Sequence, residues 1–227
     1  MYVTLSNQAA AQKPGKVQVQ SDCTIGLTRS ARSYVYYEGD EVTHLYQVQS
    51  GVVRLSRVLH DGRRQIIAFG LPGDIIGFPS RNLHHTDCEA LTKTRLLPIK
   101  RAFLDNPHLN PDLNAALLHA AMDEISAMQD HFMMLGCKSA MEKVASFLAI
   151  LMDRQAGTNC DERTIDLPMS RTDIGDFLGL SMETVSRCLT QMRKAGLIRM
   201  NSAHSIFVPS TEHLRAAADG AKPALAA

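Results

Sequence analysis

From Ser33 onward apolar residues recur with a period of two, in short runs at 35–37, 45–48, 52–55, 66–69 and 75–78. Turn signals separate them: Glu38-Gly39-Asp40, Ser50-Gly51, Asp61-Gly62 and Pro72-Gly73-Asp74. Short strands with glycine turns every ~8–12 residues predict an antiparallel sandwich or barrel. That domain is expected to end near residue 104. Asn106-Pro107 and Asn110-Pro111 mark a turn, and the period then lengthens. Leu118, Ala121, Ile125, Met128, Phe132 and Leu135 follow one another by threes and fours, which predicts a long helix with an a/d seam. Such a seam meets a partner helix; the alternative is a helix lying on its own barrel. Gly136 interrupts the pattern. It resumes from 138 to 154 with Met141, Val144, Phe147, Leu148 and Leu151 on the apolar face. A loop is expected at 157–160, and short wing strands at 164–167, 198–200 and 205–208. The chain thus divides into a flexible lead (1–22), an antiparallel domain (23–108), a long helix (109–137), a helix-and-wing domain (138–215) and an Ala-rich, frayed tail (216–227).

The densest chemistry lies between Ser170 and Gly196. Ser170 with Asp173 fits a helix start, because a hydroxyl can satisfy free backbone N–H groups there. Ile174, Phe177 and Leu178 recur at helical spacing, and Gly179 permits a tight turn. Ser181 starts a second helix with Glu183 in its first turn, where the helix dipole favours an acid. Val185, Cys188, Leu189 and Met192 form its inner side; Met182, Glu183, Ser186, Arg187 and Thr190 form its outer side. Helix, short turn, helix is the signature of a hairpin whose second helix enters the DNA major groove. Arg187 can donate twice to guanine O6 and N7, Glu183 can accept from cytosine N4, and Met182 can touch a thymine methyl. Arg171 and Ser181 at the two helix starts are further DNA-binding candidates, and Asn201, Ser202 and His204 at the wing turn are placed for backbone phosphates. A solvated face on an ordinary helical hairpin is the competing explanation.

Whole-chain charge adds little, since the formal net charge is only +1. From Arg163 to Arg215 seven basic residues face five acidic ones, an excess of two. Affinity for DNA must therefore come from local placement and from two copies acting together. Five scattered cysteines without a CxxC pair argue against structural zinc and against a disulfide scaffold. The N-terminal residues lack the apolar core of a secretory signal, so the expected compartment is the cytoplasm.

Ser170-Arg-Thr-Asp-Ile-Gly-Asp-Phe-Leu-Gly-Leu-Ser-Met-Glu-Thr-Val-Ser-Arg187 closely resembles the recognition segment of the CRP/FNR superfamily of bacterial transcription regulators. Glu183, Ser186 and Arg187 together look like its FNR and FixK branches; the cyclic-AMP receptor branch usually has Gly where Ser186 stands. The likeness extends over about residues 23–210, through Ser50-Gly51-Val52-Val53, Asp61-Gly62-Arg63-Arg64-Gln65 and Leu71-Pro72-Gly73-Asp74-Ile75-Ile76-Gly77. It implies an α+β fold: an N-terminal antiparallel β-roll of the cyclic-nucleotide-binding kind, a long dimerisation helix and a C-terminal winged helix-turn-helix. The implied partners are double-stranded DNA, a second copy of the chain and RNA polymerase, with no membrane. A palindromic site resembling TTGAT-N4-ATCAA is expected, and an activator's role.

The resemblance also directs attention to the sensor half. Cyclic-nucleotide binders in the family keep a Gly-Glu-Leu and an Arg-Ser/Thr-Ala segment; here the region reads Gly77-Phe78-Pro79-Ser80-Arg81-Asn82, with Arg81 a lone candidate. FNR holds an iron–sulfur cluster on four cysteines; here Cys23 stands alone and Leu97 falls where the later ligand belongs, so four thiolates cannot be assembled. No cofactor and no metal are therefore expected, and the FixK branch fits best. His84-His85 with Cys88 is the one constellation chemically able to hold haem, against solvated loop histidines. A haem- or ligand-gated regulator is thus the alternative function. A metal enzyme on the barrel is the other, but His44, His60, His84, His85 and His108 never form the His-x-His pair it needs. Cys188 beside Arg187 is expected to be an inward, inert thiol.

Overall fold

Pairs of adjacent apolar residues in the strands, such as Leu45-Tyr46 and Ile75-Ile76, have a direct structural cause. The computed structural model describes residues 26–156 and 163–220, in two compact units whose boundary along the chain falls between Met128 and Gln129. The expected lead, Cys23, the loop at 157–160 and the end of the tail from 221 lie outside the described residues.

The first unit holds β1 (Leu27–Arg29), β2 (Tyr34–Tyr36), β3 (His44–Ser50), β4 (Val53–Val58), β5 (Arg64–Gly70), β6 (Ile75–Ile76), β7 (Asp87–Ala90) and β8 (Thr94–Lys100). They form two antiparallel four-stranded sheets, in the orders β1-β8-β3-β6 and β2-β7-β4-β5. Between the sheets Tyr36, Val48, Val53, Leu55, Ala68, Ile76, Cys88 and Leu96 make one dry core. The first sheet is buried on its other face too, where Leu45, Ile75 and Ile99 meet Leu113 and Leu117. Successive strand residues point to opposite faces. Leu45 therefore serves the outer cluster, while Val48, three residues on, serves the inner one. Each such side chain, wholly removed from water, contributes about 1.5–3 kcal/mol.

The outer cluster is supplied by α1 (Ala102–Asp105) and α2 (Pro111–Cys137). Pro111 is the first residue of α2, where its missing N–H costs nothing, and the Asn110 side chain accepts from the Leu113 N–H at 3.0 Å. Asn114 is buried beside Leu113, but its amide donates to the Phe103 and Leu104 carbonyls at 2.8 and 2.9 Å, closing the end of α1. A buried polar group with partners costs little.

The second unit contains α3 (Ala140–Gln155), β9 (Thr164–Asp166), α4 (Arg171–Leu178), α5 (Met182–Lys194), β10 (Arg199–Ser202), β11 (Ser205–Phe207) and α6 (Thr211–Ala218). Strands β10-β11-β9 form a small antiparallel sheet, the expected wing. Ser139 and Glu142 close a capping box at the start of α3, whose Val144, Phe147, Leu148 and Leu151 are all buried.

One expectation about the tail is overturned. Residues 216–218 are not frayed; they continue α6, with Ala217 and Ala218 buried. Small side chains allow close packing of α6 in this unit, and Lys138 holds its end. The Lys138 ammonium donates to the Ala218 carbonyl and to the buried Ser146 hydroxyl, both at 2.8 Å. A cation at a helix C-terminus also suits the dipole.

Candidate nucleic-acid interface

The hairpin is built as its sequence dictates. The Ser170 hydroxyl accepts from the Asp173 N–H at 3.0 Å, and the Asp173 carboxylate accepts from the Ser170 N–H at 3.0 Å and its hydroxyl at 2.7 Å. This reciprocal cap fixes where α4 begins. At the other end Gly179 takes φ +64°, a left-handed value that glycine adopts without strain, and turns the chain toward α5. Gly175 is needed for a different reason: a Cβ there would stand 2.5 Å from the Leu180 carbonyl oxygen. The turn passes closer to α4 than any side chain allows.

α5 divides into two faces. Val185, Cys188, Leu189 and Met192 are buried, while Met182, Glu183, Arg187 and Thr190 are exposed and Ser186 is half-buried. Burial raises the Cys188 thiol against a smaller opposing pull from Arg187, which agrees with an inward, unreactive sulfur. On the outer face the side chains are braced by one another. The Ser181 hydroxyl accepts from the Thr184 N–H at 3.2 Å, and Arg187 donates through Nη2 to Thr184 Oγ1 at 3.1 Å. Thr190 turns its hydroxyl back onto the Ser186 carbonyl at 2.9 Å. Glu183 is held below the usual carboxylate range by its own backbone N–H first, then by the Ser181 hydroxyl and the Arg187 guanidinium. It is therefore ionised and purely an acceptor at neutral pH. Thr184, which orients the guanidinium, was not singled out from the sequence. Its position three residues before Arg187 on one helix face was the available signal. Ser186, Arg187, Thr190 and Gln191 line a shallow hollow on this face.

The other sequence candidates are more varied. Arg171 lies half-exposed in the first turn of α4. Ser181 is engaged in the cap of α5, so it shapes the helix. His204 is exposed at the wing, with Nδ1 3.0 Å from the Leu167 carbonyl. A carbonyl only accepts, so Nδ1 carries the hydrogen, and Nε2 of the neutral ring is an acceptor. His204 can donate to a phosphate only as the imidazolium.

Along α2 the exposed apolar residues are Leu118, Met122, Ile125, Met128, Phe132 and Met133, each at least half accessible and Phe132 76% so. Two positions of the expected seam are less open than the rest. Ala121 and Leu135 are half-buried within their own chain, and Met122 stands in the stripe instead. Both phases, 118-121-125 and 118-122-125, satisfy helical spacing. Gln129, at the next position of the exposed phase, masks that phase in the sequence. The opposite side of the helix carries buried Leu113, Leu117, Ala127 and Met134. The first turns of the helix thus lie on their own barrel through Leu113 and Leu117, while the opposite face is open.

The possible haem constellation is taken apart by the fold. His84 is not a solvated loop residue. It is buried flat on Tyr36, with ring centroids 3.6 Å apart and 7° between planes, and burial lowers its pKa. His85 is exposed beside Arg57 at 3.1 Å, and Cys88 points into the sandwich, where burial pushes its thiol up. The Tyr36 ring occupies the face of His84, and the three donors do not converge. Arg81 stands exposed on a two-residue left-handed turn with Asn82, whose side chain accepts from Arg101 at 2.7 Å.

Known proteins share this geometry. The family model described as a Crp-like helix-turn-helix domain matches residues 142–217, and that of a cyclic nucleotide-binding domain matches residues 28–106. The nitrogen fixation regulation protein FixK of Rhizobium meliloti is 36% identical over 214 residues, covering 91% of this chain and 97% of that one. Its namesake in Azorhizobium caulinodans is 40% identical over 188 residues, 82% of this chain and 76% of that one. The solved structure of FixK2 from Bradyrhizobium japonicum superposes with a TM-score of 0.78 at 35% identity, covering 84% of this chain and 95% of that one.

Proposed function

Because the chain belongs to the CRP/FNR family, as a FixK-like transcription activator with a helix-turn-helix DNA-binding domain, we propose that it acts as a homodimer on a palindromic operator resembling TTGAT-N4-ATCAA. One observation carries this reading: the outer face of α5 presents an ionised Glu183 and a braced Arg187 above a dry inner face. A carboxylate facing a polyanion is unfavourable as a phosphate clamp but suits a base edge that donates.

In this reading Glu183 accepts from cytosine N4, Arg187 donates to guanine O6 and N7, and Met182 meets a thymine methyl. Ser186 and Thr190 let the helix approach, Arg171 contacts a phosphate where α4 crosses the backbone, and His204 does so when protonated. The stripe Leu118, Met122, Ile125, Met128 and Phe132, flanked by Ala121 and Leu135, meets the same stripe of a second copy. Two recognition helices then lie about 34 Å apart, on successive turns of the groove. No helix among the described residues is long and apolar enough to cross a membrane. The partners are duplex DNA and RNA polymerase, in the cytoplasm, and the regulated genes belong to nitrogen fixation, as the names of the FixK relatives suggest, or to microaerobic respiration.

The test is fluorescence anisotropy with the purified chain, in air and without added ligand, on the symmetric duplex and on one with both half-sites scrambled. Tight, salt-sensitive binding to the first alone is expected, by a colourless protein. Equal affinity for the two duplexes, or a protein that stays monomeric with the symmetric one, overturns the reading.

A further inference from the structure

Helix α2 carries a histidine where its inward face calls for an apolar residue. His131 lies in the C-terminal part of the helix, within the second unit, on the side away from Phe132. Its ring stacks on that of Phe177, centroids 4.2 Å apart and 24° between planes, and Phe177 in turn meets Phe147 at 5.7 Å. The ring also makes a hydrogen bond to the Phe177 backbone. One turn further along α2, Leu135 comes up against Gly179, 3.7 Å from where its Cβ would stand. Both contacts fall at the end of α4, next to the turn of the hairpin.

Chemistry explains the residue type. Phe177 is the penultimate residue of α4, which ends at Leu178. An aliphatic side chain at 131 could pack on the Phe177 ring but would bring no polar atom to its backbone. A lysine would not stack. An imidazole supplies a flat apolar face for Phe177 and an N–H for its carbonyl at once. Nδ1 is buried without a hydrogen-bond partner, so the donating nitrogen is Nε2.

We propose that His131 is a positioning residue for operator recognition: with Leu135 it locks the end of α4 onto the helix that bears the intersubunit stripe, and so sets the distance between the two recognition helices of a dimer. The inference rests on the DNA-binding reading above. His131 touches no base; it acts through Phe177 and the hairpin turn.

A lock of this kind has a signature that a merely stabilising contact lacks. It governs which spacing between half-sites is accepted, and leaves untouched which bases each half-site prefers. The experiment compares wild-type, His131→Ala, His131→Phe and His131→Gln proteins by anisotropy on three duplexes: the four-base-pair spacer, and spacers of three and five. Dimer mass is checked by light scattering and folding by circular dichroism. His131→Ala is expected to bind the four-base-pair site roughly tenfold more weakly and to lose most of its preference over the other spacers, as a dimer with unchanged half-site preference. His131→Phe keeps the stack and His131→Gln keeps an N–H, so each should fall between; if His131→Ala does not fold, these two carry the test. Wild-type ratios among the spacers in folded variants, or an equal loss on all three, would overturn the inference. Failure of the wild-type protein on every duplex would instead sink the DNA-binding reading, and this inference with it.

Discussion

Helices α2 and α5 each bury one side and leave the other open, yet their open sides have opposite chemistry. That of α5 is Met182, Glu183, Arg187 and Thr190, polar groups held in place by Ser181 and Thr184. That of α2 is a row of methionines and branched or aromatic residues with little to hydrogen-bond. Water tolerates the first surface indefinitely and penalises the second. A polar, pre-oriented face is built for a ligand that arrives and leaves, whereas an apolar row is built to stay covered. On the proposed function, the difference separates what the chain reads from what it is assembled with.

The sharpest way to break this contrast is to put charge on the apolar row. Ile125→Glu or Phe132→Glu should leave a monomer by light scattering and lower operator affinity by about 100-fold or more, because avidity between two half-sites is lost. Met122→Glu should do nearly as much and Leu135→Gln much less at the dimer contact, which tests the exposed phase of the stripe. On the polar face, Arg187→Ala should cost about 1–3 kcal/mol per half-site and relax the choice at one G·C pair, with dimer mass unchanged. Unaltered base preference in a competition assay would mean that another face reads the sequence.

A smaller effect comes from His131. Burial pushes its pKa down to about 4, whereas the unfolded chain titrates near the ordinary value of 6.5. As pH falls below about 6.5 the unfolded state takes up the proton first, so stability declines from there toward pH 4, by about 1–2 kcal/mol at pH 5. Thermal melts of His131→Gln should lack this component. Last, Ser170→Ala removes the cap of α4 and should lower stability by about 1 kcal/mol, seen as a drop in Tm with half-site preference intact.

Much of this was legible from local rules. The caps at Ser170 and Ser181, the turn at Gly179 and the two faces of α5 follow from spacing alone, because they are settled within a few residues. Strands β3 to β6 announced themselves through alternation and glycine turns. The strands that went unread were β1, β7 and β8. β7 is Asp-Cys-Glu-Ala with its polar residues only half-exposed, and β8 contains Pro98 opposite Tyr46, beyond the point where pairing with β1 stops at Leu96. Neighbours, not propensity, make them strands. The burial of His84 on Tyr36, the docking of α6 and the clasp at His131 share that origin. Each depends on a residue far away in sequence, and no local pattern records it.

Gly175 carries a last implication. The closest approach within the reading hairpin happens at a point with no side chain, so the aim of α5 depends on an atom that is missing. A single methyl group introduced there would act as a wedge between the turn and its support and, on the proposed function, swing the guanidinium of Arg187 off its base edge while every residue of the outer face keeps its identity. On that reading, fidelity would be lost without altering any side chain proposed to touch DNA.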